Sequence, residues 1–331
     1  MKTELMNFWK GLKMIEKIKN LIEKSNSIAV FFHVGPDGDA IGSSLALKQA
    51  LTDFGKSVTI FSQDEIGERF DFLNTWAIKT EIIKDKFDLG FVLDCGEIKR
   101  IGTMVDVLKN CKDVINIDHH LNNENFTEYK IIDTNASSTC EIMFYFLKDL
   151  KTKFDEQIKL SLYTGLSTDS GCFMYSLNEK IFKVADELVQ GIESKIEKMN
   201  YVLFREKSFN EIKFTGEVIS KLESHFKGKF AMCDILQKDL KKYNISIDYT
   251  PNIIFLFSGL ANYDIICVIC EEKEGVFRVS FRSSKIDVCN IARLFGGGGH
   301  KFAAGCKIYG TKNTVKKNII EKVKEYLKCM E

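Results

Sequence analysis

The chain opens on a helical pattern. Over residues 1–25, Leu5, Phe8, Leu12, Ile15 and Ile22 recur at three- or four-residue steps or their multiples, with lysines between them. That spacing predicts an amphipathic helix, read as one that covers a sheet rather than one that lies on a membrane surface. A repeated theme follows, in which a short apolar run leads into a polar turn and then a helical pattern. The apolar runs at 27–32, 57–61, 89–93 and 114–117 are continuous rather than alternating, as in strands buried on both faces. Helical patterns start near residue 41 and cover 138–150, 156–166 and 180–190. Strands that alternate with helices in this way predict a mostly parallel, doubly wound α/β sheet.

The pattern changes after residue 192. Residues 193–214 are charged and contain neither Gly nor Pro, which predicts a mostly helical connector. Beyond it, apolar runs at 230–235, 253–257, 265–270 and 276–281 read as strands, 287–294 as a helix, and 302–309 as a last strand after a glycine run. Strands now dominate, so the second domain is expected to be a smaller α+β unit. The expected organisation is a sheet domain at 1–192, a connector at 193–214 and a second domain at 215–331, with a cleft between the two domains.

Composition narrows the partners. The chain has 331 residues, 45% of them hydrophobic, enough for two separate cores. Lys and Arg number 47 against 46 Asp and Glu, a net charge of +1. A long nucleic-acid track needs a strongly basic face, so long nucleic acid is not expected, whereas a short anionic substrate is. No apolar run reaches the ~18 residues of a membrane span, and the start lacks the apolar core of a secretory signal. The ten cysteines include no pair of CxxC motifs, and several sit in apolar runs. A cytoplasmic protein without disulfides or structural zinc is therefore expected.

Candidate chemistry gathers at the ends of the apolar runs. His33-Val-Gly-Pro-Asp37-Gly-Asp39 follows the first run, Asp94 ends the third, and Asp118-His119-His120 follows the fourth. Asp169 lies in Thr168-Asp169-Ser170-Gly171. Taken singly, each has an ordinary structural reading as a solvated turn, a helix cap or a helix end. Together they differ, because the carboxyl ends of parallel strands converge on one crevice. Four of the five histidines lie in candidate motifs. Carboxylates with a few imidazoles suit Mn²⁺, with Mg²⁺, Fe²⁺ or Co²⁺ as substitutes. Six ligand side chains suffice for two ions that share a carboxylate, a device for displacement at phosphorus. Ser138-Thr-Cys-Glu141 has the form of a helix capping box, with phosphate contact through Ser137 or Ser138 as the alternative.

A further cluster lies in the second domain. Arg278, Ser280 and Arg282 alternate along one run, so they share one strand face, a polar cationic stripe fit for phosphate. Gly296, Gly297, Gly298 and Gly299 precede His300-Lys-Phe-Ala-Ala-Gly305. Such a run lets the backbone approach a ligand closely and offer its amides to an anion. It is not a P-loop, because no GK[ST] follows.

These motifs resemble those of the DHH phosphoesterase superfamily. His33-x-x-Pro-Asp-x-Asp39, Asp94, Asp118-His-His120 and Asp169 match its four motifs. The RxSxRSxK and GGGGHKFAAG stretches match its DHH-associated C-terminal domain, and the likeness spans about residues 25–310. Within that superfamily the chain resembles the NrnA-like enzymes. The resemblance implies that His33 and Asp37 hold one Mn²⁺, that Asp39, His119 and Asp169 hold a second, and that Asp94 bridges them. It further implies that Asp118 orients a motif histidine, that His120 faces the scissile phosphate, and that Arg100 lies near the substrate. Arg278, Ser280, Arg282, Gly297, Gly298, Gly299 and His300 would bind the nucleotide.

The implied activity is hydrolysis of short nucleotide phosphoesters by a water activated between two ions. The substrates would be oligoribonucleotides of two to five residues, linear or cyclic dinucleotides such as pApA or c-di-AMP, or 3′-phosphoadenosine 5′-phosphate. A manganese pyrophosphatase or polyphosphatase is the rival enzyme, and a non-catalytic RNA-binding module the rival from another class. A homodimer is compatible with the sequence.

Overall fold

The computed structural model describes residues 2–175 and 178–328. The chain forms two compact units, Met1–Glu206 and Lys207–Glu331. The first begins with helix α1 (Lys2–Lys24). Ile18 and Ile22 of α1 are buried in the core, so this part of the helix packs on protein. The side chains of Leu5, Phe8 and Leu12 lie outside the described residues.

Six strands follow: β1 (Ser27–Phe31), β2 (Ser57–Phe61), β3 (Ile78–Lys79), β4 (Phe87–Leu93), β5 (Cys111–Asp118) and β6 (Tyr129–Ile132). They form one sheet in the order β3-β2-β1-β4-β5-β6, with every pairing parallel. The continuous apolar runs are explained by burial on both faces. Ile28, Val30, Leu89, Phe91, Ile115 and Ile117 face one core, and Ala29, Phe31, Phe61 and Val92 face the other. Each fully buried Phe or Ile contributes about 1.5–3 kcal/mol. Helices α2 (Gly38–Asp53), α3 (Val105–Leu108), α4 (Thr139–Asp149), α5 (Glu156–Asp169), α6 (Glu179–Val189) and α7 (Glu193–Asn200) complete the unit. Most of them cover the first core; α3 covers the second. The strand order reverses between β1 and β4, and ligands bind at such a reversal in open α/β sheets.

Residues 193–214 divide between the units. Helix α7 buries Ile196 and Met199 in the first core, and Phe214 of α8 (Phe209–Ser220) is buried in the second unit. The second unit continues with β7 (Glu223–His225), β8 (Phe230–Ile235), α9 (Gln237–Tyr243), α10 (Thr250–Ser258), β9 (Ile265–Lys273), β10 (Val276–Arg282), α11 (Val288–Arg293), β11 (Gly298–His300), β12 (Ala303–Tyr309) and α12 (Lys312–Lys328). Its sheet runs β11-β12-β10-β9-β8-β7 and is mixed, with only β8 and β9 parallel.

The apolar run at 253–257 is helix, not strand. It lies inside α10, where Ile253, Ile254 and Phe257 face the core while Phe255 and Leu256 are exposed. A short apolar run does not separate strand from helix by periodicity. Here Pro251 in the first turn favours the helix, since proline is pre-organised there. Among the described residues no helix is long and apolar enough to cross a membrane.

Candidate active site

Each candidate metal ligand of the first unit is held by the end of an element, whereas Arg100 lies inside a 3-10 turn, Ile98–Met104. His33 lies two residues past β1 and is buried. Asp37 caps α2: its Oδ1 accepts the amides of Asp39 (3.0 Å) and Ala40 (3.1 Å), and its Oδ2 lies 3.9 Å from His33 Nε2. Asp39, in the first turn of α2, is fully buried. Helices α2 and α5 approach closely because both present glycine. A β-carbon on Gly42 would stand 2.2 Å from the Ser161 carbonyl oxygen, and one on Gly165 2.7 Å from Asp39 Oδ1. This contact carries Asp169, the last residue of α5, towards Asp39.

Asp94 follows β4 directly with φ at 51°, a left-handed value uncommon for a residue with a side chain. Its amide donates to the Ile117 carbonyl (3.0 Å), and its carboxylate accepts from the Thr139 hydroxyl (3.0 Å). The two carboxylate oxygens face different partners. Oδ2 lies 3.5 Å from His33 Nε2, whereas Oδ1 lies 3.6 Å from His119 Nε2 and 3.7 Å from His120 Nδ1. His119 Nε2 also lies 3.4 Å from Asp169 Oδ2 and 3.9 Å from Asp39 Oδ2. Three overlapping groups result: His33 with Asp37 and Asp94, Asp39 with His119 and Asp169, and Asp94 with His119 and His120. In each, one ligand atom per residue lies within 4.8 Å of the others.

Further groups fix these ligands from behind. The amides of Thr139 and Cys140, at the start of α4, donate to Asp39 Oδ2 (2.6 Å) and Oδ1 (2.8 Å). Amides in a first helical turn are otherwise unpaired and carry partial positive charge, so they suit a buried carboxylate. Ser138 caps α4 by accepting the Glu141 amide (3.1 Å). The Glu141 carboxylate does not close the expected box. It accepts instead from the amide (2.8 Å) and hydroxyl (2.6 Å) of Ser137. Asp118, fully buried, binds His120 Nδ1 at 2.6 Å and accepts from Asn123 at 2.7 Å. Asn123 also donates to Asn116 (2.8 Å), whose amide group is tied to the Val92 and Cys95 carbonyls. Thr139, Asn116 and Asn123 carry no motif signal in the sequence.

The charges do not balance without cations. Burial, then the negative fields of Asp94, Asp169 and Asp37, push the Asp39 carboxyl well above its ordinary value. Burial, with Asp37 and Asp94, lifts Asp169 to about 8. Burial also works against the charge of Asp94, but the hydrogen bond and field of His33, with the fields of His119 and His120, outweigh it and hold that carboxyl below its ordinary value. The hydrogen bond to Asp118 raises His120 to about 9, and the field of nearby Arg100 opposes this. The ion pairs of Asp37, Asp39, Asp94 and Asp169 run to histidines. At 3.4–3.9 Å, most of these N–O separations exceed a hydrogen bond. They lie between the cis and trans ligand spacings, about 3.0 and 4.2 Å, around an octahedral ion with bonds of about 2.1 Å. Clustered carboxylates and imidazoles in need of positive charge therefore fit divalent metal.

A sequence model described as the DHH family, N-terminal domain, matches residues 27–166, and one described as the DHHA1 domain matches residues 243–329. The chain belongs to the DHH family. Among curated proteins it is 29% identical to the bifunctional oligoribonuclease and PAP phosphatase NrnA of Thermus thermophilus, over 97% of this chain and 95% of that one. It is 26% identical to the probable bifunctional oligoribonuclease and PAP phosphatase NrnA of Streptococcus mutans, over 93% and 97%. Among solved structures, an exopolyphosphatase-related protein from Bacteroides fragilis superposes with a TM-score of 0.86 at 26% identity, covering 96% of this chain and 98% of that one.

The DHHA1 unit gathers the remaining candidates on one sheet face. Register aligns Arg282, Ala303 and His300 across β10, β12 and β11, and Ser280, Gly305 and Gly298 beside them. Directly opposed residues point to the same side, so Arg278, Ser280, Arg282 and His300 share a face floored by small residues. The opposite face holds Phe277, Val279 and Phe281 in the core. Arg278 donates to the Thr250 hydroxyl (2.6 Å), and Arg282 to the Phe281 carbonyl (2.9 Å). The glycines of the run differ. A β-carbon on Gly297 would stand 2.2 Å from the Gly305 carbonyl oxygen and one on Gly299 2.6 Å from that of Ala303, while one on Gly298 meets nothing within 4 Å. Gly297 and Gly299 are thus required by strand packing, whereas Gly296 and Gly298 face open space.

Thr139 leads to a prediction. Its amide holds Asp39 and its hydroxyl holds Asp94, so it links the two ligand groups. Thr139→Val keeps the shape and the amide but removes the hydroxyl. Groups that orient metal ligands typically contribute about 10–100-fold in metal affinity. Calorimetric titration of metal-free protein is expected to show such a loss for Thr139→Val and near-normal affinity for Thr139→Ser. Equal affinities in the two variants would remove Thr139 from this role.

Proposed function

We propose that this DHH-family hydrolase cleaves short nucleotide phosphoesters with two Mn²⁺ ions, Mg²⁺ or Co²⁺ serving as substitutes. The observation that carries the reading is Asp94, whose two oxygens face separate ligand groups. His33 and Asp37 would hold one ion and Asp39, His119 and Asp169 the other, with Asp94 shared. Ions bound there supply Lewis-acid stabilisation of charge at phosphorus and activation of water. The chain's own groups do the rest. Asp118 fixes the His120 ring through Nδ1, which leaves Nε2–H to donate to a phosphoryl or leaving oxygen. Arg100, close enough to perturb His120, would contact the same phosphate. In the DHHA1 unit, Arg278, Ser280, Arg282 and His300, with the open backbone at Gly298, would bind the rest of the nucleotide.

The names of the T. thermophilus and S. mutans relatives support oligoribonucleotides and 3′-phosphoadenosine 5′-phosphate as substrates. Linear dinucleotides such as pApA, and cyclic ones such as c-di-AMP, share the same phosphodiester chemistry. The name of the B. fragilis relative favours a second reading, polyphosphate hydrolysis.

One turnover panel with Mn²⁺ tests these readings: RNA of two to five nucleotides, a strand of about twenty, pApA, c-di-AMP, 3′-phosphoadenosine 5′-phosphate and polyphosphate. A near-neutral chain with few clustered cations neutralises few phosphates. Efficiency is therefore expected to peak at two to five nucleotides, to drop about tenfold or more for the long strand, and to show a shallow salt slope. Equal efficiency on long and short RNA would refute the length limit, and turnover confined to polyphosphate would select the second reading.

A further inference from the structure

Two turns beside the ligand cluster present apolar side chains to solvent. Leu121, directly after His119 and His120, is 70% exposed, and Tyr175, six residues after Asp169, is 52% exposed next to an exposed Met174. The two turns leave from ligands in contact, since His119 Nε2 lies 3.4 Å from Asp169 Oδ2. An isolated exposed apolar side chain needs no explanation. Three of them flanking one buried anionic centre raise the question of what they meet there.

The turn that carries Tyr175 is held in a costly shape. After α5 ends, Gly171, Cys172 and Phe173 take φ of 58°, 59° and 61°, three left-handed residues in succession. A left-handed residue with a side chain costs roughly 1–2 kcal/mol, so the neighbours must impose the conformation. Buried Ser170 does so. Its carbonyl accepts the amides of Met174 (2.9 Å) and Tyr175 (2.8 Å), and its hydroxyl accepts that of Phe173 (3.0 Å). Phe173 turns inward against Tyr163 and Phe182, with ring centroids 5.9 and 6.0 Å away. Tyr175 folds back over Gly171, where a β-carbon would stand 2.6 Å from the Tyr175 ring. The effect is to pin an aromatic ring on the backbone two residues from Asp169 and leave half of it open.

We propose that Tyr175 is a stacking platform for the nucleobase next to the scissile phosphate, flanked by Met174 and Leu121. A ligand that meets both this ring and the metal-binding cluster needs an anionic ester joined to a flat apolar group, and a nucleotide has that chemistry. Every base offers a π face, so stacking tolerates sequence and favours any base over none. The inference rests on the reading of the cluster as a phosphoester-binding centre, and it makes the site selective for base-bearing esters over bare phosphate chains.

The test measures binding of a non-hydrolysable phosphonate analogue of pApA, and of the same analogue without its bases, to the full chain with Mn²⁺. Tyr175→Ala is expected to weaken binding of the first by about tenfold and to leave the second unchanged. Tyr175→Phe should keep wild-type affinity. Tyr175→Leu keeps bulk over Gly171 without a π system and should behave as Tyr175→Ala. Metal titration should be unaltered in all three, which shows that the turn beside Asp169 is intact. Equal loss on both analogues, no loss on either, or full affinity in Tyr175→Leu would each overturn the proposal. Turnover of pApA by the wild-type chain is scored separately: its absence would overturn the hydrolytic reading, and the binding differences would still decide the role of Tyr175.

Discussion

Asp94→Asn is expected to lower kcat on a short oligoribonucleotide by on the order of 10⁴, the scale seen when a member of a cooperating catalytic set is removed. Asparagine is the informative replacement. Residue 94 has a left-handed backbone, which Asn tolerates better than other side chains do. Asn also keeps an oxygen to accept from Thr139. What it loses is the charge and the second oxygen, and in this structure each oxygen faces a different ligand group. Metal content should therefore fall in the variant, with circular dichroism unchanged. Asp94→Ala should do at least as much harm and add a backbone penalty. Near-normal metal content and rate in Asp94→Asn would show that the carboxylate is not shared.

Chelation is expected to abolish turnover, and Mn²⁺ to restore it better than Mg²⁺ or Co²⁺. The same experiment has a stability readout. A ligand held only by the folded state adds about 2.7 kcal/mol at a hundred times its Kd. For a unit of this size that is a rise in Tm of about 5–10 °C. The pH dependence should reverse between the two states. Without metal, Asp169 titrates near 8 in the fold and Asp39 lies well above its ordinary value. Asp169 then binds more protons folded than unfolded from about pH 4 to 8, and Asp39 acts in the same direction, so metal-free stability falls as pH rises through that window. Bound metal needs the carboxylates ionised, so its affinity falls as pH drops below about 8. Metal-free protein should melt higher at pH 6 than at pH 8, and loaded protein the other way round. Full activity in EDTA would end the metal reading, and a Tm indifferent to metal would place the ions elsewhere.

Much of the fold was legible because its signals are local. Continuous apolar runs require burial on both faces, and alternation with helical patterns makes the sheet parallel. The run at 253–257 shows the limit, since five apolar residues fit a strand or one face of a helix. The strand pairs that sequence did not foresee, at β3, β6, β7 and β11, are short or polar, and pairing with longer neighbours creates them.

By itself the sequence determined which residues carry unusual chemistry: paired acids and histidines at strand ends, an alternating cationic stripe, and a run of four glycines. These are properties of residue type and spacing, and they survive without coordinates. The tertiary structure alone decided what stands behind them. Thr139 and Cys140 reach Asp39 across a hundred residues of chain, Gly42 meets α5 through its missing side chain, and Asn123 closes on Asp118 through a turn without a motif. Only the packing separated Gly298, open to a ligand, from Gly297 and Gly299, closed against a neighbouring strand. The physical reason is common to all of these. A backbone amide, a hydroxyl or an absent β-carbon acts through distance and direction, and those exist only once the elements have packed.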